Sequence, residues 1–172
     1  MNDVDTSKVS GRRVLRFESL EDISAEVERL AAAKNIKTLG NWSAGQVFQH
    51  LAIVMHGAID GMQIKLPLTM RIMIPVMLLF AKQKFLNQRM KSGVQLPKAA
   101  MAALVPPPTS WDDGLASIRS GLTRLQANPK LARHPFLGDL STEEWTKVQC
   151  RHCELHLSFL ETESSTLAEA NL

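Results

Sequence analysis

Apolar residues recur at steps of three and four in four separate stretches of the chain, with polar residues between them. Leu20, Ile23, Val27 and Leu30 draw the first stripe, and Val47, Leu51, Val54 and Ala58 the second. Leu115, Ile118, Leu122 and Leu125 draw the third. The fourth runs through Trp145, Val148, His152, Leu155, His156 and Phe159. That period is the signature of a helix with one buried face. A start signal stands before each stripe: Ser19 with Asp22, Ser43 with Gln46, Ser110 with Asp113, and Ser141 with Glu144. A serine hydroxyl accepts from the first-turn amides, and an acid or amide three residues on reaches back to the serine N–H. The pattern predicts helices over 19–34, 43–60, 111–127 and 141–163. No stretch alternates convincingly with the period of a strand, so the expected class is all-α, a four-helix bundle.

The 172 residues, 45% hydrophobic and 22% charged, suit one soluble domain spanning 1–172. The two cysteines, Cys150 and Cys153, are too few for a disulfide framework, which argues for reduced thiols and a cytoplasmic location. No apolar run follows the adjacent Arg12 and Arg13, so no secretory signal is expected. The formal charge of +3 is unevenly spread. Between Gly61 and Trp111 there are seven basic residues and no acidic one, leaving 13 basic against 17 acidic residues elsewhere. The insertion at 61–110 is thus a basic, Met-rich unit on a mildly acidic body. Pro67 is placed to open a helix and Pro75 to kink it, while "VPPPTS" at 105–110 reads as an extended connection. A helix lying over the bundle, a lid over a ligand, and a membrane-surface contact all remain open for it. "LTMRIMIPVMLLFAK" is too short to span a bilayer. The basic residues alternate with aliphatics rather than stacking aromatics, which argues against nucleic acid. The polar tail after Glu163 is expected to fray.

The candidate chemistry lies in "RHCELHLSFL", residues 151–160. His152 and His156 are four apart, so they point the same way from a helix, into its apolar stripe. Each unpartnered buried polar group costs about 1–3 kcal/mol, and two side by side call for a shared partner. His50, in the middle of the second helix, is the natural third member, with Gly57 expected to leave space on its face. Three neutral imidazoles suit Zn²⁺, Ni²⁺ or Fe²⁺ with a position left open. Core histidines bonded to carbonyls or carboxylates are the alternative. His56 is turned about 120° from His50 and is excluded from such a site. His134, in the loop before the last helix, is expected to fix that loop. Cys150 and Cys153 fall inside a helix rather than at its N-terminus, so they read as packing residues and not as a redox pair. Gln46 and Gln149, each within a turn of a ligand, are candidates for supporting it.

"GNWSAGQVFQHLA" at 40–52 and "HPFLGDLSTEEWTKVQCRHCELHLSFL" at 134–160, with "FESLED" at 17–22, resemble the DinB/YfiT-like superfamily, and more narrowly an uncharacterised branch of it. The resemblance covers roughly residues 14–160. It implies a four-helix bundle, often dimeric, with a three-histidine metal site matching His50, His152 and His156. Relatives commonly carry a further histidine where this chain has Leu155, so the metal-binding pair is retained but that third imidazole is not. Characterised relatives are metal-dependent transferases that use thiols such as glutathione, mycothiol or bacillithiol, and maleylpyruvate isomerase. The implied function is a divalent-metal protein activating a low-molecular-weight thiol or water for attack on a small electrophile. A basic insertion would favour an anionic substrate. The rival expectation is a non-catalytic metal- or small-molecule-binding bundle of stress response with structural histidines. No catalytic residue beyond the triad is identified.

Overall fold

The structure, a computed structural model, describes residues 4–62, 64, 68–69, 73, 82–94, 101, 103–127 and 130–162. Pro67 and Pro75, with the helix opening and kink expected there, and the tail after 162 lie outside the described residues. The described chain is mostly helical: α1 Leu20–Ala31, β1 Ile36–Thr38, α2 Ala44–Asp60, α3 Trp111–Gln126, α4 Thr142–Leu157 and β2 Leu160–Thr162. All four serine caps form. At Ser19, Ser43 and Ser141 the reciprocal box is complete. At Ser110 only the hydroxyl half forms, because Asp113 receives the Ser110 hydroxyl instead of its N–H.

The helices pack in a cycle. α2 lies along α3, each touches one of the outer pair α1 and α4 or both, and α1 and α4 meet across the far side. Phe48, Leu51 and Met55 of α2 interlock with Ile118 and Leu122 of α3, while Ile23, Val27, Leu30, Val148, Cys153 and Leu157 fill the rest of the core. The α2–α3 contact is unusually close because each helix carries a glycine in its first turn at the crossing, Gly45 in α2 and Gly114 in α3. A Cβ on Gly45 would collide with the Ser110 carbonyl, and one on Gly114 with the Gly45 carbonyl. α2 is therefore held tightly by its neighbour, which fixes the height of His50 within the molecule.

Two expectations need correction. The fold is not purely helical: β1 and β2 pair antiparallel, Ile36 opposite Thr162 and Thr38 opposite Leu160. Strands of three residues are too short to display alternation, and the pairing joins segments remote in sequence. Consequently α4 stops at Leu157 rather than running to 163, and Phe159 lies beyond it. The stop is built by the N-terminal arm. Arg13 donates to the Leu157 and Leu160 carbonyls (2.9 and 2.6 Å) and Arg12 to the Leu155 carbonyl (3.2 Å). The last carbonyls of a helix lack intrahelical partners and carry its negative end, so two guanidiniums are well matched to them.

Part of the insertion is described, and it lies on the helices. Residues 82–87 are helical, Leu86 is buried in the core, and Lys82 pairs with Glu144 at 2.7 Å. Residues 105–110 carry no helix or strand, in keeping with the expected connection. Among the described residues no helix is long and apolar enough to cross a membrane.

Candidate metal centre

His50 comes from the middle of α2, and His152 and His156 from the last two turns of α4. Each offers one ring nitrogen, and the three atoms lie within 4.8 Å of one another, an arrangement that could hold a metal ion. The ring centroids are 4.5 to 5.0 Å apart. His50 is buried and the other two are half-buried.

The tautomer of His50 follows from its partner. Its Nδ1 sits 2.7 Å from the Leu104 carbonyl, which can only accept, so Nδ1 carries the proton and Nε2 presents a lone pair. That lone pair faces His152 Nε2 at 3.1 Å. Two nitrogens on a tetrahedral zinc lie about 3.3 Å apart, given Zn–N bonds of about 2.0–2.1 Å. One edge of the triangle is therefore already near coordination spacing, and no edge exceeds 4.8 Å. His152 Nδ1 is buried without a partner among the described residues. Burial, followed by the neighbouring imidazoles, holds His152 and His156 well below the ordinary histidine value, and burial lowers His50. Neutral imidazole is the form that binds a metal.

Trp42 walls the site. Its ring stacks on His156 (5.7 Å between centroids, 15° between planes) and tilts against His50 at 4.8 Å. The β1–β2 pair explains its position. Leu39 N–H donates to the Phe159 carbonyl at 2.9 Å, so the stretch leading to Trp42 runs beside the end of α4.

The other expectations sort clearly. His56 stands apart, against Arg124 at 2.9 Å on the exposed side of α2. His134 fixes its loop: Nδ1 accepts from the Phe136 and Leu137 amides, and its backbone pairs with Gly138. Cys150 and Cys153 are free and buried, and desolvation raises both thiols, Cys150 to about 12. They are packing residues with no thiolate character near neutrality. Neither glutamine supports a ligand. Gln46 is spent on the α2 cap, and Gln149 is buried with both amide atoms unpartnered among the described residues, beside a small cavity lined by Leu20, Leu125 and Trp145. The space expected over Gly57 is filled by Met62, whose Cγ would lie 2.6 Å from an added Cβ. Leu104 contributes a backbone atom and so leaves no signal in the sequence, whereas Trp42, not expected at the site, stands directly before the Ser43 cap.

The buried histidines set an expected pH dependence. Desolvation lowers the His134 pKa from 6.5 to about 4, and the triad shifts in the same direction. Unfolded chains bind these protons below pH 6.5 while the folded state does not, so stability is full above that pH and is lost as pH falls toward 4. His134 alone accounts for about 3 kcal/mol of that loss. Urea titrations of metal-free protein across this window should show the midpoint falling steadily with acidification.

Among comparisons with known proteins, no curated protein and no solved structure matches the chain significantly. A family described as a protein of unknown function (DUF1569) matches residues 9–163. With nearly the whole chain matched, the protein belongs to the DUF1569 family.

Proposed function

We propose that the protein is a DinB/YfiT-like four-helix bundle in which His50, His152 and His156 hold one divalent ion, Zn²⁺, Ni²⁺ or Fe²⁺, and that it acts on a small molecule there. The observation that carries this reading is the His50 arrangement: Nδ1–H tied to the Leu104 carbonyl and Nε2 turned to His152. A metal-binding histidine is ordinarily oriented in this way by a second partner. A bound ion with an open position supplies Lewis acidity and lowers the pKa of a thiol or water at neutral pH. The protein's own residues hold the ring nitrogens neutral, and Trp42 restricts water over His156 and His50. The helices, the motifs around His50 and the last-helix histidine pair support the superfamily likeness. The reaction it suggests is transfer of a low-molecular-weight thiol, or of water, to a small electrophile.

One observation favours a second reading. At 3.1 Å His50 and His152 can hydrogen-bond directly, His152 donating, without any ion. The bundle would then be a non-catalytic binding module with structural histidines. Protein prepared without a histidine tag separates the two. The metal reading expects about one equivalent of a transition metal after incubation with zinc, nickel or ferrous ion, because a preformed triad binds far above background. It also expects thiol conjugation to a model electrophile that disappears in His50→Ala. Metal content below about 0.1 equivalents would contradict it.

A further inference from the structure

Nine arginines are described, and seven of them are in ion pairs with carboxylates: Arg13, Arg16, Arg29, Arg119, Arg124, Arg133 and Arg151. Among the described residues Arg12 and Arg89 have no such partner, and both line the same cleft. It lies between the N-terminal arm and the 89–92 loop, has a volume of about 560 Å³, and is also lined by Lys91, Ser7 and Ser92. No acidic residue lines it. The carboxylate that Arg89 influences, Glu154, is already held by Arg151 and the Phe17 amide. At one end the arm and the loop close together at Gly93, with φ of 76°, where a Cβ would press on Ser7 Cβ at 2.7 Å.

The guanidinium of Arg12 is fixed rather than mobile. Its Nε and Nη2 donate to Ser158 Oγ (3.1 and 2.8 Å), Nη2 also to the Leu155 carbonyl, and Nη1 to Ser92 Oγ at 2.9 Å. Its plane lies over the Phe159 ring, 4.1 Å from the centroid. Four of its five N–H groups are thus spent on neutral acceptors, and one on Nη1 remains. Capping α4 accounts for the Nε and Nη2 bonds, but not for a second arginine and a lysine gathered beside it. Arg89 makes a single bond, to the Arg13 carbonyl at 3.1 Å, and keeps the rest of its fork unpaired among the described residues. Like charges gathered with no carboxylate among the residues that line the cleft repel each other, and a bound anion relieves that cost. Arg12 keeps one N–H and Arg89 most of its fork for a ligand, and guanidinium donors recognise planar or tetrahedral oxyanions well.

We propose that this cleft binds the oxyanion, carboxylate or phosphate, of the small molecule that the histidine centre acts on. The site stands on the basic cleft itself; only the link to the histidine centre rests on the metal reading above. That link is the C-terminal turn of α4, which carries His156 and whose Leu155 carbonyl and Ser158 hydroxyl hold Arg12. The substrate is then acidic, with its charged end at Arg12, Arg89 and Lys91 and its reacting end toward the histidines.

Calorimetric titration of metal-free protein with sodium phosphate, and separately with sodium succinate, tests the site without depending on the metal. One of the two should bind saturably at a single site with Kd of about 1 mM or tighter at low ionic strength. The anion that binds tells phosphate from carboxylate ligands. Arg89→Gln combined with Lys91→Gln should weaken that binding about tenfold, with melting temperature and metal content unchanged. Arg12 is left intact because it also caps α4. His50→Ala should bind the anion as the native protein does while losing the ion, so failure of the metal reading registers separately. Saturation by neither anion up to about 10 mM, or undiminished affinity in the double variant, overturns the proposal.

Discussion

Replacing Arg151 with alanine should lower folding stability by about 3–5 kcal/mol, the usual cost of leaving a buried charge without its partner. The pair is almost wholly sequestered: the side chains of Arg151 and Glu154 are 2% and 1% exposed. Arg151 Nη2 lies 2.7 Å from Glu154 Oε1 and also donates to the Phe17 carbonyl. The same Glu154 oxygen accepts the Phe17 amide at 2.7 Å. The three groups bond to one another where the N-terminal arm joins α4, and truncating the arginine leaves a buried carboxylate without its ion-pair partner. A loss of that size shifts melting by about 6–20 °C in a domain of this length. Replacing Arg151 and Glu154 together with methionine should be far milder, because no charge is left behind and the loss is confined to the partners of the Phe17 amide and carbonyl. Thermal and urea denaturation of the three proteins measures this. Equal losses in the single and double variants would show that packing, not charge, dominates there.

His152→Ala should weaken divalent-ion binding by more than the 10–100-fold typical of losing a residue that merely supports a ligand. It should do so with little effect on metal-free stability. Its Nδ1 is already buried without a partner among the described residues, so removal relieves one unsatisfied group, which offsets the void and the lost contact with His50 Nε2. Native protein with an ion at about 100 times its Kd gains about 2.7 kcal/mol, and the variant should show no such gain. Differential scanning with and without zinc reads both quantities. A structural histidine behaves in the opposite way: the metal-free melting temperature drops sharply, and zinc changes nothing in either protein.

The helices were legible because their signals are local. A serine and its partner three residues on lie within one turn, so each N-terminus could be placed from a short window, and each was. The α4 C-terminus was not, because arginines about 145 positions earlier set it by bonding to its last carbonyls. Phe159 kept the helical period in sequence while standing beyond the helix. The convergence of His152 and His156 follows from helix geometry alone, and the addition of His50 from a second buried stripe. What the period could not give is the orientation of those rings. A backbone carbonyl at Leu104 and a wall at Trp42 reach the site through the tertiary fold. Gln149 illustrates the limit from the other side: it lies within a turn of His152 on α4, yet lines a cavity with α1 and α3 residues. Arg12 and Arg13 carried no legible role as an isolated pair; only packing shows one completing α4 and the other bordering a basic cleft.

Whether imidazoles from α2 and α4 share one ion is read by X-ray absorption spectroscopy of zinc-loaded, tag-free protein. Three imidazole nitrogens at about 2.0–2.1 Å are expected, falling to two in His50→Ala. A spectrum fitted by oxygen scatterers alone, or one left unchanged by His50→Ala, would contradict a shared ion.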